Sequence, residues 1–304
     1  MPQHVNPADE PPFDYIGGLP KFPFTTFQVE NHPPIPVHSH GTYAEIVIVV
    51  GGQGQHLVGD DAFALKRGDV FVVPIGMPHG YLRCRDLVLI NILYNPKVLA
   101  AVERELAHVP GYSALFRFEP KLRARHAFQS HLAITDDALE EFEEPLRRIR
   151  KELRNQSPGY EAVVKSVFAS ILVELARHYG SMTAPLSKDL VRLSPLLDWL
   201  EENFAQTILV ETLAERAHMS RSTLERLFTK CFGTSPLNYV IELRLSKAEA
   251  LLTETELSVS EVAAAVGIDN PRYLSRLFRQ HLGLPPLAFR QQARRGAPPP
   301  SRRS

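Results

Sequence analysis

The run L-x-R-L-F-x4-G-x2-P occurs twice in the C-terminal third of this chain, and the two occurrences lie fifty residues apart. Leu224, Arg226, Leu227, Phe228, Gly233 and Pro236 recur as Leu274, Arg276, Leu277, Phe278, Gly283 and Pro286. Extended outward, LAERAHMSRSTLERLFTKCFGTSPLNY (213–239) aligns with VAAAVGIDNPRYLSRLFRQHLGLPPLAF (262–289), with one extra residue in the second turn. A period of this length means one supersecondary unit built twice. Each copy has the parts of a helix-turn-helix: a short alanine-rich helix, a turn near His218-Met219-Ser220 or Gly267-Ile268-Asp269, and a second helix closed by glycine. The units are expected at 209–233 and 258–283, with Ser220 and Asp269 as N-caps and one long helix from Pro236 to Thr253 between them.

In the second helix of copy one, Leu224, Leu227 and Phe228 fall at i, i+3 and i+4 and form the buried face. At 100° per residue, Ser222, Glu225, Arg226 and Thr229 centre on the opposite side, and the same wheel in copy two turns out Arg272, Ser275, Arg276 and Arg279. These groups suit base edges: arginine pairs with guanine, glutamate accepts from cytosine, and serine serves several bases. A single amphipathic helix with such a face is ordinarily a solvated flank of a bundle; two matched copies favour double-stranded promoter DNA as the partner. Charge agrees when counted by region. The whole chain is neutral, yet residues 1–187 carry 18 Lys and Arg against 21 Asp and Glu, whereas 219–304 carry 13 against 7.

At 304 residues, with 44% hydrophobic and 22% charged residues, the chain is expected to form two packed domains rather than a disordered polymer. The start, MPQHVNPADEPPFDY, has neither the basic segment nor the apolar core of a secretory leader, and no apolar run approaches a membrane span. Cys84 and Cys231 have no metal-ligand spacing and read as small buried hydrophobes. All three observations point to the cytoplasm.

The N-terminal half has a different grammar. Residues 1–26 read as a Pro-rich arm. From 27 to 96, short apolar runs (EIVIVV, HLV, FAL, VFVVP, LVLINILY) alternate with turn signals such as GGQGQ, GDDA and KRGD, the pattern of a small all-β barrel or sandwich. Residues 97–180 read as accessory helices. One is capped by Asp136 or Asp137 and kinked or broken at Pro145. The next runs from about Gly159 to Tyr179, with an apolar stripe that either packs on the barrel or forms a homodimer contact. SMTAPLSK lies in an expected linker, 181–190, followed by the DNA-binding region at 191–293 and a Pro- and Arg-containing basic tail at 294–304.

Within the β-region, His38-x-His40-x4-Glu45 is followed by Gly68-x5-Pro74-x-Gly76-x2-His79. Histidines at i and i+2 of a strand share a side, and a barrel wall can bring Glu45 and His79 to them, with Pro74 and Gly76 forming the turn that delivers His79. Three imidazoles and a carboxylate suit a divalent transition metal such as iron, manganese, nickel or zinc. Tyr43, Tyr81 and Arg83 line the same expected mouth. Three readings stay open: polar support for the barrel, a small-molecule effector pocket of His38, His40, Tyr43, Glu45, His79 and Tyr81, or catalytic turnover.

The run from Ala263 to Arg290, with its earlier copy, closely resembles the DNA-binding domain of the AraC/XylS family of transcription regulators, Ile268 and Leu274 replacing commoner aromatics. In that family the positions matching Ser222, Glu225, Arg226, Arg272, Ser275 and Arg276 face DNA. The His/Glu motif resembles the cupin barrel up to His79; the later asparagine of that motif is absent, since Gly80-Tyr81-Leu82-Arg83 follows. Taken together, the chain looks most like the rhamnose-type regulators. The resemblance implies an N-terminal cupin barrel with accessory helices and a C-terminal all-α tandem helix-turn-helix domain. It also implies a non-enzymatic, sugar-responsive activator working with RNA polymerase. The alternative is a metal-dependent cupin enzyme with a DNA-binding tail.

Overall fold

The apolar runs of the N-terminal half form antiparallel strands: β1 (Phe24–Val29), β2 (Ile35–His38), β3 (Ala44–Val58), β4 (Asp61–Lys66), β5 (Asp69–Val73), β6 (His79–Tyr94) and, much later, β7 (Leu132–Ala133). The structure, a computed structural model, describes residues 22–123 and 131–294. It divides into two units, Met1–Ser194 and Pro195–Ser304.

Two long strands organise the first unit. β3 and β6 pair along their whole length, from Ala44↔Tyr94 to Val58↔His79. β1 and β5 flank one half of this ribbon, and β2 and β4 flank the other. Between the halves the register shifts at Val49/Gly51, Gly51/Gln53 and Gln53/Gln55. Such bulges bend a strand and change which side its side chains take. Gly52 is required here: it has φ +68°, and a Cβ on it would lie 2.0 Å from the Asp86 carbonyl oxygen. The inner face gathers Val47, Val49, Leu65, Phe71, Val73, Tyr81, Leu87 and Leu89 into one apolar cluster.

The outer face is also buried near β1, where Phe24 and Tyr94 both meet the Phe168 ring edge-on, at 4.8 and 4.9 Å between centroids. That explains why the run from Ile46 to Val50 is apolar throughout rather than alternating. Phe168 belongs to α4, in a helical run comprising α1 (Glu103–Ala107), α2 (Glu119–Arg123), α3 (Asp136–Asn155) and α4 (Tyr160–Gly180). Phe168 thus packs on the sheet, while α4 packs mainly along α3.

Several local expectations are corrected. The arm ends earlier than residue 26: Phe22 and Phe24 are buried, and β1 starts at Phe24, because the Pro-rich context conceals a strand with Phe24 and Thr26 buried under the accessory helices' side of the sheet. Residues 1–21 lie outside the described residues, as does the tail from 295. Thr135, not Asp136 or Asp137, caps α3 by accepting from the Ala138 N–H at 3.3 Å, which leaves the two aspartates in the first turn. The helix runs unbroken through Pro145. Most of the expected linker is helix: α5 (Pro185–Asn203) begins inside it, and Ser187 and Leu190 are buried. Proline is tolerated at the first helical turn, where no N–H is needed. Cys84 is only half-buried, unlike Cys231.

The second unit is all helix beyond α5: α6 (Val210–Arg216), α7 (Arg221–Phe232), α8 (Pro236–Glu254), α9 (Val259–Ala265), α10 (Pro271–Leu282) and α11 (Pro286–Arg294). The repeat is visible in its packing. Phe228 meets Tyr239 edge-on at 5.6 Å, and Phe278 meets Phe289 the same way at 5.8 Å. Gly233 and Gly283 close α7 and α10 at φ +67° and +76°. Ser220 caps α7 as expected, but Asn270 rather than Asp269 caps α10, accepting from the Arg272 N–H at 2.9 Å. The cap sits one residue later because Pro271 takes the first helical position. An all-β barrel with accessory helices followed by an all-α tandem helix-turn-helix is the architecture observed.

Candidate functional site

The two second helices of the repeat present the same face in the same way. Leu224, Leu227 and Phe228 in α7 are buried, as are Leu274, Leu277 and Phe278 in α10. Ser222, Arg226 and Thr229 are exposed with Glu225 half-buried, and Arg272, Arg276 and Arg279 are exposed with Ser275 half-buried. Among the described residues, Arg226, Arg272 and Arg279 form no ion pair. Arg276 lies over the Tyr273 ring, 4.9 Å from its centroid. A concavity of about 670 Å³ beside α10 is lined by Arg244, Asp269, Asn270, Arg272, Tyr273 and Arg276. Exposed cations on a helix face are the kind of group that phosphate and base contacts use. Thr229 is less available, because its hydroxyl donates back to the Glu225 carbonyl at 2.9 Å.

Residues missed by the helical wheel hold this surface in place. Arg244 of α8 donates to the Phe204 and Gln206 carbonyls at 2.7 and 2.6 Å. Arg290 of α11 donates likewise to the Leu252 and Leu257 carbonyls. Each guanidinium satisfies oxygens near the end of a preceding helix that have no intrahelical partner.

At one end of the barrel interior the four motif residues meet. His38 ends β2 opposite His79 at the start of β6, and Glu45 shares a strand face with Val47 and Val49. Gly76, at φ +77°, occupies the third position of a turn closed by Met77 N–H to the Pro74 carbonyl at 3.1 Å, and its own N–H reaches the His40 carbonyl at 2.8 Å. The Pro-x-Gly turn therefore does deliver His79. One nitrogen each of His38, His40 and His79 lies within 4.8 Å of the others. The Nε2 atoms of His40 and His79 stand 3.5 and 3.4 Å from Glu45 Oε2. Nδ1 of His38 lies 3.0 Å from the Pro36 carbonyl and Nδ1 of His79 lies 3.2 Å from that of Met77; the tautomer that donates at these contacts is the one whose Nε2 can act as a ligand atom.

Burial alone would push the Glu45 carboxyl up, but the His40 and His79 imidazoles outweigh it and hold it at about 2. Burial draws His38 below its ordinary value. The carboxylate and neutral imidazole forms are those that bind a metal. Ligand nitrogens on one ion sit roughly 3.4 Å apart at a ~2.1 Å bond length, so small ring movements would close the set.

Tyr43 stacks on His40 at 4.5 Å, and Tyr81 lies at the inner side of His79 at 6.2 Å. Arg83 does not join them; it is exposed, in a recess with Gln53, Gln55 and Cys84. Two further histidines do. His56 is fully buried, stacked on Phe71 at 4.3 Å and 5.7 Å from His79, and neither ring nitrogen has a hydrogen-bond partner among the described residues. His32 packs on Tyr81 at 4.5 Å, and the Tyr81 hydroxyl is also buried without a partner among the described residues. Behind Phe71, Arg123 lies over the ring at 5.3 Å and pairs with the buried Glu119 at 3.3 Å.

Comparison with known proteins bears on both units. A family model described as a helix-turn-helix domain matches residues 213–292, and one described as an AraC-like ligand binding domain matches residues 27–161. The HTH-type transcriptional activator RhaS of Enterobacter sp. (strain 638) is 29% identical over 84% of this chain and 87% of its own length. The DNA-binding domain of AdpA, a global transcriptional factor whose structure was solved with a target DNA, is 39% identical. That match covers 34% of this chain and 96% of the AdpA domain, with a TM-score of 0.33. A transcriptional regulator with an AraC-type DNA-binding domain from Chromobacterium violaceum is 31% identical over 34% of this chain and 91% of its own, also with a TM-score of 0.33. The RhaS relative is a transcriptional activator, and with both family models matched the chain is a DNA-binding transcription regulator rather than a cupin metalloenzyme.

Proposed function

The chain belongs to the AraC family of transcription regulators, and from that premise we propose that it is a ligand-controlled, homodimeric activator of a carbon-source operon. It would act in the cytoplasm and recruit RNA polymerase to the promoter. The observation that carries the DNA half of this reading is the matched pair of outward faces on α7 and α10. Ser222, Glu225 and Arg226 read one major groove, and Arg272, Ser275 and Arg276 read the next, about 34 Å along the duplex, with Thr229 and Arg279 at the margins. Band-shift titration against the gene's own promoter region tests this. Arg226→Ala and Arg276→Ala should each weaken specific binding by roughly 5- to 150-fold; unchanged binding in both overturns it.

The sensing half rests on the barrel interior. His38, His40, Glu45 and His79 would hold a divalent transition metal, whose role would be to orient a ligand oxygen. Tyr43 flanks that position. Behind it, His32, His56 and the Tyr81 hydroxyl present polar atoms that fit the hydroxyls of a sugar or a similar polyhydroxylated metabolite. A buried polar group without a partner costs about 1–3 kcal/mol, so a ligand that supplies the missing bonds is favoured for that reason alone. A thermal-shift screen of sugars, with and without Zn²⁺ or Mn²⁺, tests this. A hit should raise the melting temperature and lose its effect in His56→Phe and His79→Ala; a shift that survives both changes overturns the assignment.

A further inference from the structure

The internal repeat supplies a comparison within one molecule. α7 carries an acid, Glu225, where α10 carries Ser275; it carries Arg221 where α10 carries Pro271. These differences come as a set. Arg221 Nε donates to Glu225 Oε1 at 2.9 Å, and Arg221 Nη1 donates to Glu211 Oε1 of α6 at 2.9 Å. The guanidinium thus bridges the two helices of the first helix-turn-helix. Glu225 Oε2 has no partner among the described residues.

Stability does not explain the arrangement. Both pairs are exposed, and exposed ion pairs contribute little to stability; a cation in the first turn of a helix is also on the wrong side of the helix dipole. On a surface that approaches phosphates, an acid is repelled unless its charge is offset and its oxygen meets a donor. Arg221 offsets the charge and leaves one oxygen of Glu225 facing outward. Base donors in the major groove are the exocyclic amino groups, with cytosine N4 the usual partner of a carboxylate.

We propose that Arg221, seated by Glu211, is a positioning residue that presents Glu225 Oε2 to a cytosine amino group in the groove read by α7. The proposal rests on the DNA-reading assignment above. It confines the Glu225 preference to copy one, with Arg221 itself touching neither base nor phosphate.

The test uses the full chain and a synthetic duplex pool randomised across the bound site, with bound and free fractions sequenced. Glu225→Gln should abolish a preference for C·G at one base pair, a loss of roughly 5- to 150-fold. Arg221→Ala and Glu211→Gln should reduce that same preference and leave those read by α10 unchanged. Because Arg221 makes no phosphate contact, Arg221→Ala should also leave the slope of log affinity against log salt unaltered. A uniform loss across all sequences, with the slope lower by about 1, would show Arg221 to be a phosphate contact and overturn the proposal. An unchanged C·G preference in either Arg221→Ala or Glu225→Gln overturns it equally. Arg226→Ala and Arg276→Ala in the same pool separate this failure from failure of DNA reading itself. Unfolding midpoints of the exposed-site variants should match that of the parent.

Discussion

His218 and Gly267 occupy the same place in the two turns, and both have left-handed backbones, at φ +51° and +72°. The histidine bears a steric cost that glycine does not. His218→Gly should therefore stabilise the protein by about 0.5–1 kcal/mol, measured by urea unfolding. Gly267→Ala should do the opposite and cost more than about 1 kcal/mol, since its Cβ would lie 2.1 Å from the Ala205 carbonyl oxygen. Glu45 makes a prediction in acid for the metal-free protein. Its folded pKa, about 2, lies below the ordinary 4.5. Ionised Glu45 therefore stabilises fully above the ordinary value, and that contribution is lost as pH falls from there through about 2. Glu45→Gln should flatten this acid limb in melting curves taken between those values; a limb of unchanged steepness would assign it to other carboxylates.

At the scale of elements, what the sequence disclosed depended on whether periodicity survived. Helix α7 and helix α10 were legible because one amphipathic wheel runs through each without interruption, and the glycine caps mark their ends. The motif histidines were legible from their spacing alone, and the expectation of one strand carrying both is corrected: β2 ends at His38, its register with β6 shifts between Ile35 and His38, and His40 lies in the loop that leads to β3. His56 was not legible. Glu45, Val47 and Val49 face inward on odd numbers, and strict alternation would turn residue 56 outward. The register shifts of β3 displace its pairing with β6 by a net residue, so that His56 pairs with Tyr81 and faces in. Bulges of this kind depend on tertiary strain in the ribbon, not on residue type alone. Proline in the first position conceals the helix start at Pro185 and Pro271, though not at Pro236. Caps also carry a prediction. Ser258 and Glu261 form a reciprocal capping box at α9, so Ser258→Ala should cost about 1 kcal/mol. Equilibrium unfolding checks it, and no change in midpoint would mean that water replaces the cap.

For the molecule as a whole, the two units have separate cores and separate tasks. Calorimetry should accordingly resolve two transitions, since multidomain chains depart from two-state unfolding. Phe278→Ala, which opens a cavity in the C-terminal core, should lower one of them by about 3–5 kcal/mol and leave the other in place; a single transition shifting as a unit would mean the cores unfold together. Within the C-terminal unit, α8 runs unbroken from Pro236 to Glu254. At 1.5 Å per residue it is about 28 Å long, a strut rather than a tether. Its consequence falls on the DNA. A base pair inserted between the two stretches that α7 and α10 are proposed to read would rotate one stretch by about 35° relative to the other, and a stiff strut has no slack with which to follow. The promoter sequence is then one undivided word, whose halves can be respelled but not spaced.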